Sequence, residues 1–490
     1  MVISISLILI CGLLEIVISY GLLFSYRRLI SLILFVLLVL ANGVLLYYGA
    51  NRLWVIVLLY LSIYRLFNIY RIGYSKIQIE HLKHIVRKSA YRLLGFQLVI
   101  LMVGALLTNV FVIHRLRWII LSSMQLLIGL VLLGSTLRHK NVTRRIRLNT
   151  PLLESNAPTL TVAIPARNET EDLYDCLLSL VACDYPKLEI LVLDDNSTTR
   201  RTPEIIRSFA HDGVEFISGK PVEQGWLAKN WAYQQLLEAA NGDIVMFCGV
   251  DTRFSKESLK FLVSALINRK KQMISILPKN TLMSGQINKL LQPLRYAWEI
   301  CLPRRGIQRP PVLSTCWLAG RSFINDCGGF KAISRRVVCE SYFARRAANN
   351  DGYSFFQYDE VISNKKPIDE LETALRLRYP QLHRQPEFVA LVSLLEIGGI
   401  LSSLIILISA LFVLAWTLII TSVLSIIVFS IVFGLACKIT YRITMVGGFL
   451  SWPLAGILDI YLQHLSMWRY EFGTVLWKGR SVAPPVMLHQ

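Results

Sequence analysis

Thr159-Leu160-Thr161-Val162-Ala163-Ile164-Pro165-Ala166-Arg167-Asn168-Glu169 is the stretch that decides the fold. Its first six residues form a short run rich in β-branched side chains, and Pro165 opens a polar turn behind it. A run of this kind reads as a strand covered on both faces, as in a parallel sheet. Leu188–Leu193, Val214–Ile217 and Asp243–Cys248 repeat the pattern. Between the first two, Leu173, Cys176, Leu177, Leu180 and Val181 recur at helical spacing over Asp172–Ala182, and a second helix is expected over Ala228–Ala240. Strands alternating with helices predict an α/β domain with a parallel sheet and crossover helices.

Outward from this domain the composition changes. The 490 residues are 54% hydrophobic and 17% charged, against about 45–50% apolar and about 25% charged in soluble domains. The mean hydropathy is +0.50. An ordinary soluble enzyme and a disordered chain are both excluded. Long apolar runs lie at 2–24, 29–50, 53–69, 94–113 and 118–136, and again at 388–416, 418–436 and 445–467. Most approach the roughly 20 residues a bilayer-spanning helix needs. Arg65 makes the 53–69 run the weakest, and Pro453 leaves 445–467 open as a span or an interfacial helix. The expected organisation is a membrane block of about five helices (1–137), a basic juxtamembrane linker (138–150), a globular domain (151–386) and a second block of two to three helices with a basic tail (387–490).

The formal net charge of +20 raises the question of nucleic acid. Residues 1–150 hold 17 Lys or Arg and 2 acids, whereas 151–386 hold 30 and 26. The excess therefore sits between the apolar runs, at Arg27 and Arg28, from Arg65 to Arg92, and from Arg138 to Arg147. The positive-inside rule makes it a topology signal, with the N-terminus outside and the globular domain on the cytoplasmic side of the cell membrane. Basic juxtamembrane loops touching anionic lipid are expected, and no nucleic acid. Glu15, Glu396 and Asp459 are the few acids within the spans, and a transport pathway usually shows paired charges. Nine cysteines with no Cys-x-x-Cys pair fit a reduced compartment.

Three of the expected strands end in polar chemistry: Arg167-Asn168-Glu169, Asp194-Asp195-Asn196-Ser197 and Gly249-Val250-Asp251-Thr252. Ligands of open α/β sheets bind beyond the carboxyl ends of the strands. Carboxylates converging there suit a base and ribose, together with a divalent cation that neutralises a diphosphate.

At these residues the chain resembles a family 2 glycosyltransferase of the GT-A fold, of the multipass membrane type that acts on lipid-like acceptors. The resemblance covers about 159–346. It rests on Ile164–Glu169, on Tyr185-Pro186 leading to Leu193–Ser197, on Gly225-Trp226-Leu227-Ala228-Lys229, on Val250–Phe254 and on Cys327-Gly328-Gly329-Phe330. Val475-Leu476-Trp477-Lys478-Gly479-Arg480 also looks like the terminal signature of that subgroup. The resemblance implies a Rossmann-like mixed sheet with helices on both faces, binding a nucleotide-diphospho sugar, which it implies is UDP-linked. Pro165, Arg167, Asn168, Glu169, Asp194 and Asp195 would line the nucleotide pocket, with Lys229 near the donor. Asp251 would hold Mg²⁺ or Mn²⁺, and Glu340 would be the catalytic base of an inverting hexosyl transfer to a lipid or membrane-embedded acceptor.

Three departures accompany the resemblance. The family's Asp-x-Asp reads Gly249-Val250-Asp251, and its Glu-Asp pair reads Cys339-Glu340, or Glu340-Ser341 if the register slips by one. Gln381-Leu382-His383-Arg384-Gln385 matches the Gln-x-x-Arg-Trp of processive members except for the tryptophan, making Gln381 and Arg384 candidates for acceptor contact or gating. A processive polysaccharide synthase and a catalytically degenerate nucleotide-sugar-binding scaffold remain as alternatives. Arg304, Arg305, Arg309, Arg335, Arg336, Arg345 and Arg346 are either solvated or turned to an anionic acceptor or membrane.

Overall fold

The computed structural model describes residues 2–20, 24–49, 53–74, 79–109, 114–150, 157–280, 297–302, 310–363, 367–440 and 445–483. Arg52, Lys76, Arg304, Arg305, Arg309 and Arg442 fall outside them.

Five helices precede the globular domain: α1 (Val2–Ser19), α2 (Arg27–Gly49), α3 (Leu53–Tyr74), α4 (Ile79–Asn109) and α5 (His114–Asn149). Five more follow it among the described residues. They are α12 (Pro367–Gln381), the pair α13 (Pro386–Glu396) and α14 (Ser402–Phe412) joined by a π-helical turn at Ile397–Leu401, and then α15 (Trp416–Thr440) and α16 (Met445–Phe472). Among the described residues, Arg27–Tyr47, Val55–Tyr74, Trp118–Asn149, Pro386–Phe412 and Trp416–Thr440 are long and apolar enough to cross a membrane.

The basic segments are helix, not loop. Arg65 and Arg71 lie in α3, Arg87 and Arg92 in α4, and α5 continues through the expected linker to Asn149. Several of these cations are spent on buried partners rather than on lipid. Arg65, fully buried, meets Glu15 of α1 at 3.0 Å and donates to Gln97 of α4 at 2.8 Å. Arg71 meets Glu471 of α16 at 3.4 Å, and Tyr379 of α12 donates to the same carboxylate at 2.6 Å. Arg92 and Ser89 both reach Glu387 of α13, at 3.0 and 2.6 Å. The acids of the spans also have partners: Asp459 pairs with Arg378 at 2.7 Å, and Gln463 donates to Glu396 at 3.2 Å. A buried charge without a partner is too costly to keep, and the pairs of Arg71 with Glu471 and of Arg92 with Glu387 lock the two helix blocks together.

Between the blocks lies a mixed eight-stranded sheet in the order β3-β2-β1-β4-β7-β6-β8-β5. Its strands are β1 (Leu160–Ala166), β2 (Leu188–Asp194), β3 (Val214–Ser218), β4 (Ile244–Cys248), β5 (Thr252–Phe254), β6 (Met273–Asn280), β7 (Cys316–Gly320) and β8 (Tyr353–Ser363). The parallel half, β3-β2-β1-β4, holds the four strands read from the sequence. β7 then runs antiparallel to both β4 and β6. Alternate residues of β1 point to opposite faces. Val162, Ile164 and Ala166 pack with α6 (Glu171–Val181), α7 (Arg201–Ser208) and α9 (Ser258–Asn268), whereas Ala163 packs with α8 (Ala228–Ala239), α10 (Arg321–Asp326) and α11 (Glu340–Asn349). Helices cover both faces, as expected. Acids Glu171 and Asp172 open α6, where the helix dipole favours them. The nine cysteines are all free.

Candidate active site

The register of β1 and β2 aligns Ala166 with Asp194, so the two polar strand ends emerge side by side. Arg167 then stitches them, donating to the Asp195 and Asn196 carbonyls at 2.7 and 2.5 Å. Asn168 takes a left-handed backbone (φ 49°) and accepts from the Thr198 amide at 2.8 Å. Asp194 caps its own turn by accepting from the Ser197 hydroxyl at 2.5 Å. These three expected binding residues build the rim.

Pro165, Glu169, Lys229 and Asp251 line one cleft, joined by Tyr233, Gly249 and Thr315. Asp251 accepts a hydrogen bond from Ser363 of β8 at 3.0 Å. A Cβ added at Gly249 would sit 2.5 Å from Asp251 Oδ1, so the glycine is what lets this carboxylate fold back over the backbone. The missing first Asp of the motif thus coincides with space the remaining Asp occupies.

Lys229 reaches the cleft because the start of α8 is clamped to the loop before α11. Asn230 donates its amide to the carbonyls of Ile333, Ser334 and Arg336 at 3.0, 3.0 and 2.9 Å. Gly328 (φ 88°) and Gly329 (φ 58°) turn the chain so that Phe330 enters the core, within 5.3 Å of the rings of Phe247, Tyr233 and Phe343. That anchoring sets where α11 begins. Glu340, its first residue, is 2% exposed and meets Lys229 Nζ at 3.3 Å. It stands one layer behind the cleft wall, with Lys229 in front of it. Burial pushes the Cys339 thiol up, so it stays neutral and donates to Glu340 at 3.2 Å. Burial opposes the charge of Lys229, yet Glu340, then Cys339 and Tyr233, more than offset it and raise the ammonium above the ordinary lysine range.

The remaining wall comes from residues that sequence reasoning left without a role. Thr373 and Arg376 of α12 line the cleft, as do Trp477, Lys478 and Arg480 of a β-hairpin, β9 (Val475–Trp477) and β10 (Arg480–Ala483). Lys478 Nζ pairs with Glu169, and Arg480 Nη1 meets Asp195 Oδ1 at 2.7 Å. Burial raises both carboxyls above their usual range, opposed by Lys478 at Glu169 and by Arg480 at Asp195. The signal available was the pair of basic residues flanking a glycine in the terminal signature. Gln381 and Arg384 lie at and just beyond the end of α12, away from the cleft lining, with Arg384 over the Tyr470 ring at 5.1 Å. Arg336 and Arg346 flank the Tyr342 ring, and Arg335 donates to the Gly225 carbonyl at 3.2 Å.

Comparison with known proteins bears on the same residues. Glycosyl transferase family 2 matches residues 161–337. A probable glycosyltransferase, YdaM of Bacillus subtilis, is 33% identical over 118 residues, 23% of this chain and 28% of its own length. The 4,4'-diaponeurosporenoate glycosyltransferase of Staphylococcus aureus is 29% identical over 140 residues, 28% of this chain and 36% of its own. The chain thus spans well under half the length of these relatives. A solved mannosyltransferase of Pyrobaculum calidifontis, in complex with GDP-Man and Mn²⁺, is 17% identical, with a TM-score of 0.41 over 72% of this chain and 100% of its own. Over residues 161–337, therefore, the chain carries a domain of glycosyl transferase family 2.

Proposed function

We propose that the chain is a multipass membrane glycosyltransferase that moves a hexose from a nucleotide-diphospho sugar, UDP-linked, to a lipid or membrane-embedded acceptor. The observation that carries this reading is the make-up of the cleft. Carboxylates at the ends of parallel strands form one wall, and α12 and the hairpin, both from the part of the chain that follows the sheet, form another. A donor held at the strand ends would face an acceptor arriving from the membrane.

Two features support the acceptor. A second, apolar cavity lies among the membrane helices, lined by Leu132, Trp298, Phe429, Val432 and Trp452, with Glu396 and Asp459 at its wall. α12 stands between the two cavities: Thr373 and Arg376 line the cleft, and Arg378 pairs with Asp459 of the apolar one. The relative named for 4,4'-diaponeurosporenoate supports a non-polymeric acceptor.

Asp251 fits a divalent cation. Mg²⁺ and Mn²⁺ take oxygen donors and commonly rest on one or two carboxylates plus substrate phosphates. Among the described residues no three His, Cys, Asp or Glu side chains converge into a ready-made cage, so Asp251 would share the cation with the donor. The cation would stabilise charge on the departing nucleoside diphosphate. Glu340 would take the proton of the acceptor hydroxyl, and Lys229 pairs with it at 3.3 Å. The acceptor hydroxyl would attack the anomeric carbon on the face away from the diphosphate, which inverts that centre. The cleft and its base would lie on the cytoplasmic face of the cell membrane.

The test is turnover by the full-length protein in lipid with labelled UDP-sugars. UDP release should need Mg²⁺ or Mn²⁺ and a lipid extract, and should disappear in Asp251→Asn and Glu340→Gln. Donor binding without turnover under every such condition would favour the scaffold reading instead.

A further inference from the structure

The hairpin follows α16 after only Gly473 and Thr474, so it is held on a short tether at the end of the last helix block. Its two-residue turn places Lys478 (φ 47°) and Gly479 (φ 78°) in the left-handed region that tight hairpins use. The backbone is fixed as well: Arg167 Nε donates to the Lys478 carbonyl at 3.3 Å. The two cationic side chains flanking the glycine are therefore aimed, and both line the cleft while remaining about one-quarter exposed, 28% for Lys478 and 24% for Arg480.

Their partners are carboxylates at the ends of β1 and β2. A nucleotide-diphospho sugar brings two kinds of group to such a place. Ribose hydroxyls and base N–H groups are neutral donors that suit Glu169 and Asp195. The diphosphate is an anion and needs cations, and Lys and Arg are its usual side-chain partners. Four cationic residues line the cleft among the described residues: Lys229, Arg376, Lys478 and Arg480. Lys229 already serves Glu340, and Gly249 has removed one carboxylate from the expected metal motif.

We propose that Lys478 and Arg480 form the diphosphate-binding subsite of the donor, exchanging Glu169 and Asp195 for phosphate oxygens when the nucleotide enters. This assignment rests on the proposed function. It makes the segment after the last membrane helix part of the donor site, so the pocket is completed only when the second helix block is in place. The freed carboxylates pass to the ribose and base, so no charge is left stranded. The cations share with a metal at Asp251 the neutralisation of the diphosphate, which offsets the lost first Asp.

The experiment measures equilibrium binding of UDP and of uridine, and of GDP and guanosine, to the full chain in nanodiscs. Wild type, Lys478→Ala, Arg480→Ala, the double variant, and the conservative Lys478→Arg and Arg480→Lys are compared, each with Mn²⁺ and with EDTA. Each alanine variant should weaken diphosphate binding by about tenfold, the worth of one charge-assisted hydrogen bond. Nucleoside binding should change less than about twofold, because the neutral part of the ligand loses no charge-assisted contact. The conservative variants should keep most of the affinity, and the double variant should show a shallower dependence of affinity on salt. Equal weakening of nucleoside and diphosphate would mean that the hairpin only shapes the pocket, and unchanged binding would mean that it plays no part; either overturns the assignment alone. A wild-type protein that binds neither diphosphate better than its nucleoside overturns the proposed function and this assignment with it.

Discussion

Replacing Lys229 with methionine keeps most of the side-chain volume and leaves Glu340 without its cation. The two groups are 3.3 Å apart, with the Glu340 side chain 3% exposed and that of Lys229 31% exposed. At that spacing and an effective dielectric constant of about 20, their attraction is about 5 kcal/mol. Not all of it is lost. The Cys339 thiol remains at 3.2 Å, the first turn of α11 returns about 0.3–1 kcal/mol through its dipole, and water follows the open side of the Lys229 site. The expected cost is about 3 kcal/mol, the lower end for breaking a buried pair. For a domain of this size that lowers the apparent melting temperature by about 6–12 °C. Thermal unfolding in detergent reads it, and Lys229→Met with Glu340→Gln should recover most of the loss because the stranded charge is gone. A single variant melting within about 2 °C of wild type, or a double variant no better than the single one, would refute the account of Glu340 as a buried anion held by Lys229.

Other outcomes follow from the same geometry. Glu340→Gln should lower turnover by about 10²–10⁴-fold with donor affinity retained, as loss of a general base does; steady-state kinetics beside nucleotide titration separates the two. Gly249→Ala should force the Asp251 carboxylate off its present rotamer, since the new Cβ meets Oδ1 at 2.5 Å, and raise the Mn²⁺ concentration needed for half-maximal activity. Burial holds the Glu169 and Asp195 carboxyls above their usual range. A raised acid stabilises the fold fully below its unfolded pKa of about 4, and that stability is lost as pH rises through the folded value. Conversely, the pairs with Lys478 and Arg480 need the ionised form, so acidification should free the hairpin at a pH above about 4, where ordinary carboxylates are still charged. The fluorescence component removed by Trp477→Phe should report that transition. Finally, Glu15→Leu strands fully buried Arg65 and should cost about 3–5 kcal/mol, seen as a lower yield of folded protein in detergent.

What the sequence revealed and what it concealed divide along physical lines. β1, β2, β3 and β4 were legible because parallel strands covered on both faces are continuous apolar runs. Their ends carry polar residues in order, which is why Glu169, Asp195 and Asp251 could be named as candidates. β5 to β8 were not legible. β5 has three residues, and β6 and β8 shift register past Pro278, so none shows a clean period. The basic residues between apolar runs were read as loops turned to lipid because a sequence does not show partners. Arg71 finds Glu471 four hundred residues away, and only the folded chain can say so. Separations of 309 and 285 residues hid Lys478 and Arg480, whose proposed role depends on a hairpin returning to strand ends far earlier in the chain.

α5 runs unbroken for 36 residues, from the last apolar run of the first block through the basic stretch to Asn149. Its far end is bound into the globular domain: Ile146 is fully buried in the core, and Arg147 meets Asp359 of β8 at 2.9 Å. A helix of that length is a rod about 54 Å long, not a tether. Residues added to a flexible linker would merely lengthen it, but each one added near Arg138 would turn whatever lies beyond by about 100°. The angular phase between bilayer and cleft is therefore written in the residue count of one helix. Inserting a single alanine there should separate nucleotide binding, which needs only the pocket, from transfer, which needs the pocket to face its acceptor.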